Sequence, residues 1–209
     1  MIPEKLIRDY FIPTTVLDIG ANVGEFYREC KECFPDAYYY LIEPNPECKD
    51  VLDSLGVDYL LGAVSDIEKE ATFYISKAMP RCTGNSLYRE VTSYFSDENV
   101  RLHTLTTTTL DKLFPKYAQF DLIKIDTQGS ELDILRGGMS LVKKAKGLIV
   151  EVAVANYNIG APLETEVKTF LDELGFIPVS ELQSWNNPET YEKVHVDLLF
   201  INKKLLYLG

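Results

Sequence analysis

The chain is short of the residues that build metal centres and disulfide scaffolds. Its 209 residues hold 2 histidines, 4 cysteines and 1 tryptophan. Cys30, Cys33, Cys48 and Cys82 form no zinc pattern with histidines, so no metal site is expected from them. Cys30-x-x-Cys33 falls inside an expected first helix and reads as a pair of reduced thiols, in keeping with a cytoplasmic protein. No apolar run approaches the ~20 residues of a membrane span. The start, "MIPEKLIRDYF", lacks the basic, apolar and small-residue regions of a signal peptide. Positive charge is also scarce, with 21 Lys and Arg against 32 Asp and Glu, a net charge of −11. An acidic surface of this kind repels phosphate backbones, and no nucleic-acid partner is expected. There is no repeat, low-complexity tract or linker, so a single domain over 1–209 is expected, with an undetermined oligomeric state.

What is present is an alternation of strand and helix patterns. Strands are expected near 15–20, 38–43, 57–64, 121–126, 147–154, 176–181 and 196–202, and helices near 24–34, 46–55, 131–143 and 163–174. Such alternation predicts an α/β fold, a mostly parallel sheet with helices on both faces. The final pair, "FIPVSEL" and "HVDLLFIN", predicts an antiparallel C-terminal hairpin.

The stretch "TVLDIGANVGEF" (Thr15 to Phe26) is the most informative. A buried strand runs into a glycine turn, and a helix opens at Gly24. Gly20 can adopt backbone shapes closed to residues with a Cβ. Asp18 sits near the strand end, where open α/β sheets bind nucleotide-type ligands. A dinucleotide site has G-x-G-x-x-G, but here the second glycine is replaced by Asn22. The spacing D-x-G-x-x-x-G instead resembles the first motif of S-adenosylmethionine (SAM)-dependent methyltransferases. Strand two ends at Glu43, 23 residues after Gly20, and is halted by Pro44 and Pro46. An acid at that tip is placed to accept hydrogen bonds from ribose hydroxyls.

The segment "FDLIKIDTQGSELDILRGG" (Phe120 to Gly138) carries the central acids. Lys124 and Asp126 share one strand face, because side chains alternate. Glu151 lies in the next apolar strand. A buried carboxylate requires a partner, and Lys124 on the neighbouring strand is the expected one.

This segment looks like the hallmark stretch of the FkbM family of SAM-dependent methyltransferases: a K-I-D strand, a short turn, G-x-E, and a helix ending in R/K-G. "VLDIGANVG", "TTLDKL", "VEV" and "DLLFIN" fit in order, so the similarity covers Val16 to Asn202. Gln128 departs from it, since the family often has Glu there. The resemblance implies a Rossmann-like class I methyltransferase sheet of seven strands. It also implies SAM as cofactor, S-adenosyl-L-homocysteine as product, and O-methylation of sugar or natural-product hydroxyls. On it, Asp18, Gly20, Asn22 and Gly24 are expected at the methionine end of SAM and Glu43 at the ribose. Ala63, Val64 and Asp66 are expected at the adenine, and Asp126 beside the methyl group. Asp126 and Glu151 are candidate bases.

One region breaks the alternation. Residues 76–107 are expected to form a lid over the donor, because long excursions in a small domain are usually binding loops. Its Arg81, Asn85, Ser86, Tyr88 and Arg89 are candidate acceptor ligands, with Tyr94 and Arg101 nearby. Three arginines there would suit an acidic acceptor. His103 is a further candidate base, since its ordinary pKa lies near neutrality. The acceptor is expected to be a small molecule or glycan. Two alternatives stay open: N-methylation of a protein or nucleic acid, and a SAM-binding scaffold without catalysis. Against base methylation, the place of an N/D-P-P-Y/F segment holds "DTQG".

Overall fold

The computed structural model describes residues 4–207. The ends of the expected 1–209 domain, residues 1–3 and 208–209, lie outside the described residues. The main sheet has seven strands in the order β3-β2-β1-β7-β8-β10-β9. These are β1 (Thr15–Ile19), β2 (Tyr38–Glu43), β3 (Asp58–Leu61), β7 (Leu122–Ile125), β8 (Gly147–Ala153), β9 (Phe176–Asn186) and β10 (Lys193–Asn202). The pairs β1–β2, β2–β3, β1–β7 and β7–β8 are parallel, while β10 runs antiparallel to both β8 and β9. The expected seven-stranded sheet and its antiparallel C-terminal hairpin are therefore present.

Strand alternation sends the central strands into two cores. Leu17 and Ile123 point to one, with Leu132, Leu135, Val167 and Leu171 from α5 (Glu131–Gly137) and α7 (Glu164–Glu173). Val16 and Leu122 point to the other, with Ile7, Cys30 and Leu52 from α1 (Glu4–Arg8), α2 (Glu25–Cys33) and α3 (Lys49–Leu55). β7 and β8 are buried along their whole length, as strands covered on both faces must be. The described residues contain no helix long and apolar enough to cross a membrane.

Several expectations shift. The strand expected over 57–64 splits at Gly62 into β3 and β4 (Ala63–Val64), and β4 joins a second sheet of order β4-β6-β5. β5 (Glu70–Ser76) and β6 (Val100–Thr108) pair antiparallel. The expected excursion over 76–107 thus ends in a long strand, and only residues 77–99 are irregular apart from one short 3-10 turn. The expected helix over 131–143 breaks into α5 and α6 (Met139–Val142) at Gly138. A Cβ there would come 2.7 Å from Leu110 of α4 (Leu110–Leu113). The hairpin strands also extend further toward their loop than expected, to Asn186 and back from Lys193.

Candidate active site

The tips of β1, β2 and β7 converge. Gly20 and Ala21 donate their amides to the carbonyl of Ile42 (2.9 and 3.1 Å), and the Asp126 amide donates to Ile19 O (3.0 Å). Gly20, Asn22 and Gly24 have φ of 82, 48 and 79°, the left-handed region that favours glycine. A Cβ on Gly20 would stand 1.8 Å from the carbonyl oxygen of Asp126. The first glycine is therefore needed for β1 and β7 to close together. Gly24 serves packing: a Cβ there would meet Leu55 at 2.5 Å.

This convergence opens a cleft at the carboxyl ends of the parallel strands. Gly20, Asn22, Glu43, Ala63, Val64 and Asp126 line it, as do Arg81 and Asn85. Glu43 is buried, and its two oxygens accept from the amides of Asn22 (2.7 Å) and Asn45 (2.8 Å). Burial pushes its carboxyl up to about 7, against the pull of those amides. Asp18 lies behind the cleft, fully buried, with no hydrogen-bond partner on either oxygen among the described residues. Burial raises it to about 6, opposed by Lys124. Gly24 and Asp66 are outside the lining. Asp66 pairs with Lys69 instead (3.0 Å).

A second cavity adjoins the first at Asp126 and Thr83, which line both. Gln128, Glu151, Tyr157, Trp185 and His195 line it as well. Glu151 does not pair with Lys124 as expected. Lys124 bonds Asp126 (2.8 Å), its neighbour two residues along the same strand face, while β7 and β8 register sets Lys124 opposite Ile149. Glu151 accepts instead from Gln128 (2.7 Å). Burial would raise Asp126, but the Lys124 ammonium and the Gln128 amide hold it below its ordinary value. Burial and the neighbouring acids Asp126, Glu131 and Asp197 push Glu151 well up.

Residues 77–99 contribute to the linings of both cavities. Cys82, Asn85 and Leu87 face the first, and Gly84 and Glu90 face the second. Asn45 and Asn22 hold the segment by donating to the carbonyls of Pro80 (2.7 Å) and Arg81 (3.2 Å). Other expected acceptor ligands are engaged within the protein. Ser86 bonds the Tyr88 carbonyl, the Tyr88 hydroxyl donates to Asp133 (2.7 Å), and Arg89 pairs with Asp97 (2.6 Å). Arg81 donates to the Glu47 carbonyl (2.5 Å) and Arg101 pairs with the Glu47 carboxylate. The three arginines expected to attract an acidic acceptor thus have protein partners, because Glu47 and Asp97 fold next to them. His103 lies on β6 opposite Phe73, outside both linings.

The hallmark G-x-E has a structural explanation. Buried Glu131 accepts from the amides of Thr127 (2.8 Å) and Gly129 (3.0 Å) and from the Thr127 hydroxyl (2.9 Å), fixing the turn that presents Asp126. Gly137 of the R-G ending packs on the Ser65 carbonyl, where a Cβ would come within 2.0 Å.

Residues 18–178 match the methyltransferase FkbM domain. The chain belongs to the FkbM methyltransferase family. Methyltransferase sdnD of Sordaria araneosa is 24% identical over 202 residues, covering 81% of this chain and 76% of sdnD. Among solved structures, magnesium protoporphyrin IX methyltransferase (ChlM) from Synechocystis PCC 6803 with bound SAM aligns with a TM-score of 0.53. It shares 11% identity, over 95% of this chain and 74% of that one, and so speaks to the fold. This FkbM-family protein is a SAM-dependent methyltransferase. The first cleft, with a buried acid at the β2 tip, fits the cofactor.

Sequence reasoning missed several residues in or beside these cavities: His195, Trp185, Tyr157 and Asn45 in the linings, and Asp197 beside Glu151. A signal was present for two of them. His195 and Asp197 are polar residues two apart in the otherwise apolar run of "HVDLLFIN", and so share one face.

Proposed function

We propose that the protein methylates a hydroxyl group on a small hydroxylated molecule or glycan. The observation that carries this reading is the position of Asp126, shared by the first cleft and a second, acid- and aromatic-lined cavity. In this reading Glu43 accepts from ribose hydroxyls through lone pairs left over from its two backbone bonds. Ala63 and Val64 form the adenine wall, and the Gly20–Asn22 turn meets the methionine end. Bound SAM supplies the electrophilic methyl group. Trp185 and Tyr157 offer ring faces to the acceptor, while Asp126 and Glu151 orient its oxygen and receive its proton. Residues 77–99 exclude water from the junction. Positioning of this kind provides much of the acceleration in a displacement whose atoms must lie ~3–3.5 Å apart.

The test is incubation with labelled SAM and a panel of hydroxylated acceptors, read by mass spectrometry. Methyl ether products are expected. Trp185→Ala should raise the KM for the acceptor found and leave SAM affinity unchanged. N-methylated products, or label transfer with an unchanged acceptor KM in Trp185→Ala, would count against this reading.

A further inference from the structure

His195 is a buried histidine whose ring makes no hydrogen bond among the described residues. It is 3% exposed. Its Nε2 is buried and unpartnered, and its Nδ1 stands 4.0 Å from Glu151 Oε1, too far for a hydrogen bond. Buried polar atoms nearly always have partners, so this ring is fitted to take one from a ligand. The sheet puts it there. His195 on β10 lies opposite Ala153 of β8 and Trp185 of β9. Glu151, two residues before Ala153, is its diagonal neighbour on the same face. The Tyr157 ring braces the imidazole edge-on, with centroids 5.3 Å apart and planes at 85°.

The location of this ring matters. His195 and Glu151 both line the second cavity, which meets the first cleft at Asp126. The Gln128 amide that donates to Glu151 (2.7 Å) also reaches Asp126 (3.3 Å), so Glu151 stands one side chain away from that junction. Burial drives the imidazole down to about 4. At neutral pH the ring is therefore uncharged and carries a single hydrogen. An acid oxygen facing Nδ1 favours that hydrogen on Nδ1 and leaves the lone pair on Nε2. A hydroxyl oxygen forms bonds of ~2.7–3.0 Å, so one that accepts from a nitrogen and donates to a carboxylate holds the two ~4–5 Å apart. The 4.0 Å gap between Nδ1 and Oε1 has that width.

We propose that His195 donates its Nδ1 hydrogen to the reacting hydroxyl oxygen of the acceptor, while Glu151 accepts that hydroxyl's proton. This rests on the O-methylation reading and adds to it the group that fixes the oxygen's direction. Burial and neighbouring acids push Glu151 well up, which strengthens it as a base when ionised. As the proton passes to Glu151, an electron pair of the oxygen forms the bond to the methyl carbon and the carbon–sulfur pair stays on sulfur. His195 also selects the acceptor atom. A hydrogen on Nδ1 meets a lone pair on an alcohol oxygen. A protonated amine has no lone pair to accept with and would set hydrogen against hydrogen. The pair therefore favours alcohols over amines.

The first experiment needs no acceptor. The chain has two histidines, His103 and His195. Nitrogen-15 NMR of the histidine-labelled full chain, with His103→Gln for assignment, reads the His195 tautomer directly. A neutral ring with its hydrogen on Nδ1 is expected at pH 7. A hydrogen on Nε2, or a charged ring, overturns the proposal. The second experiment uses whichever alcohol of the acceptor panel yields a methyl ether. His195→Asn keeps an amide nitrogen near the place of Nδ1 and should hold kcat within about tenfold of the parent. His195→Gln sets its amide nearer Nε2, and His195→Phe keeps only a ring. Both should lose kcat at least ~100-fold with SAM affinity unchanged. A histidine that only packs would tolerate Phe best. Should either variant not fold, the other carries the comparison. Parental kcat in the Gln or Phe variant overturns the proposal and leaves O-methylation standing. N-methylated products in place of ethers would sink the O-methylation reading, and the role of His195 at the acceptor with it, whichever tautomer is found.

Discussion

Gln128 donates its side-chain amide to Glu151 Oε2 at 2.7 Å and to Asp126 Oδ1 at 3.3 Å. One NH2 group thus ties a half-buried acid just past the end of β7 to a buried acid on β8. A glutamate, often present at this position in the resemblance noted above, has no hydrogen to donate when ionised. The departure at Gln128 therefore has a physical consequence in this chain. It sits at φ 57°, at the turn after β7, where its side chain reaches across to β8.

Gln128→Glu should destabilise the protein by about 1–3 kcal/mol, the scale for leaving buried polar groups unsatisfied. The loss should be larger at pH 8 than at pH 5.5, because the new carboxyl joins acids that repel it. Urea unfolding at both values checks this. Equal stability of the two proteins at pH 8 would show that the amide bridge contributes nothing.

Gly20→Ala should be far more harmful than Gly56→Ala, although both glycines have positive φ (82 and 64°). A Cβ at Gly56 meets nothing within 4 Å, so only the left-handed conformation costs, about 1–2 kcal/mol. At Gly20 the Cβ meets the Asp126 backbone at 1.8 Å. The β1 and β7 tips must separate, which should cost further stability and at least tenfold in SAM affinity. Calorimetry on both folded variants tests the contrast.

Without added ions, stability should fall as pH rises from 6.5 to 8. Burial raises the carboxyls of Glu43 to about 7, Asp197 to about 7 and Asp18 to about 6. Acids raised in the folded state bind protons more tightly there. Their contribution is complete below their unfolded values and is lost as pH climbs through the folded ones. His195 acts oppositely: lowered to about 4, it contributes above its ordinary 6.5 and loses that as pH falls. Above pH 6.5 the histidine is settled and the acids govern. Tm measured in EDTA should decline across this window, at about 2–4 °C per kcal/mol lost. Asp197→Asn should flatten the decline, and a rising Tm would contradict the assignment.

Asn45→Ala should loosen the cover over the cleft. Its side chain donates to the Pro80 carbonyl (2.7 Å) and accepts from the Glu47 amide (3.1 Å) as a helix cap. Loss of the cap costs about 1 kcal/mol. Loss of the Pro80 bond should speed hydrogen exchange in residues 77–99 and weaken SAM binding severalfold. Exchange confined to the helix after Asn45 would show that the cover is held elsewhere.

The parallel sheet and the residues at its tips were legible in the sequence. Strand and helix periodicity, the turn glycines and the acids at strand ends are local properties, and Asp126 and Glu43 stand where those patterns end. Partnership was not legible. Lys124 pairs with Asp126 and not Glu151 because strand register, with its period of two residues, decides which side chains share a face. The same register, across 46 residues of chain, sets Asp197 opposite Glu151 and brings His195 to the acids. The small sheet of β4, β5 and β6 escaped for a related reason. Its exposed face weakens alternation, and β6 is fully buried only at Val100 and Thr107. The arginines of residues 76–107 looked free because their carboxylate and carbonyl partners, Glu47 above all, arrive only on folding. Sequence thus determined the main sheet's strands and where their tips lie. Tertiary structure alone decided which charges neutralise one another and which stay unpaired, since that depends on distances between strands far apart in the chain.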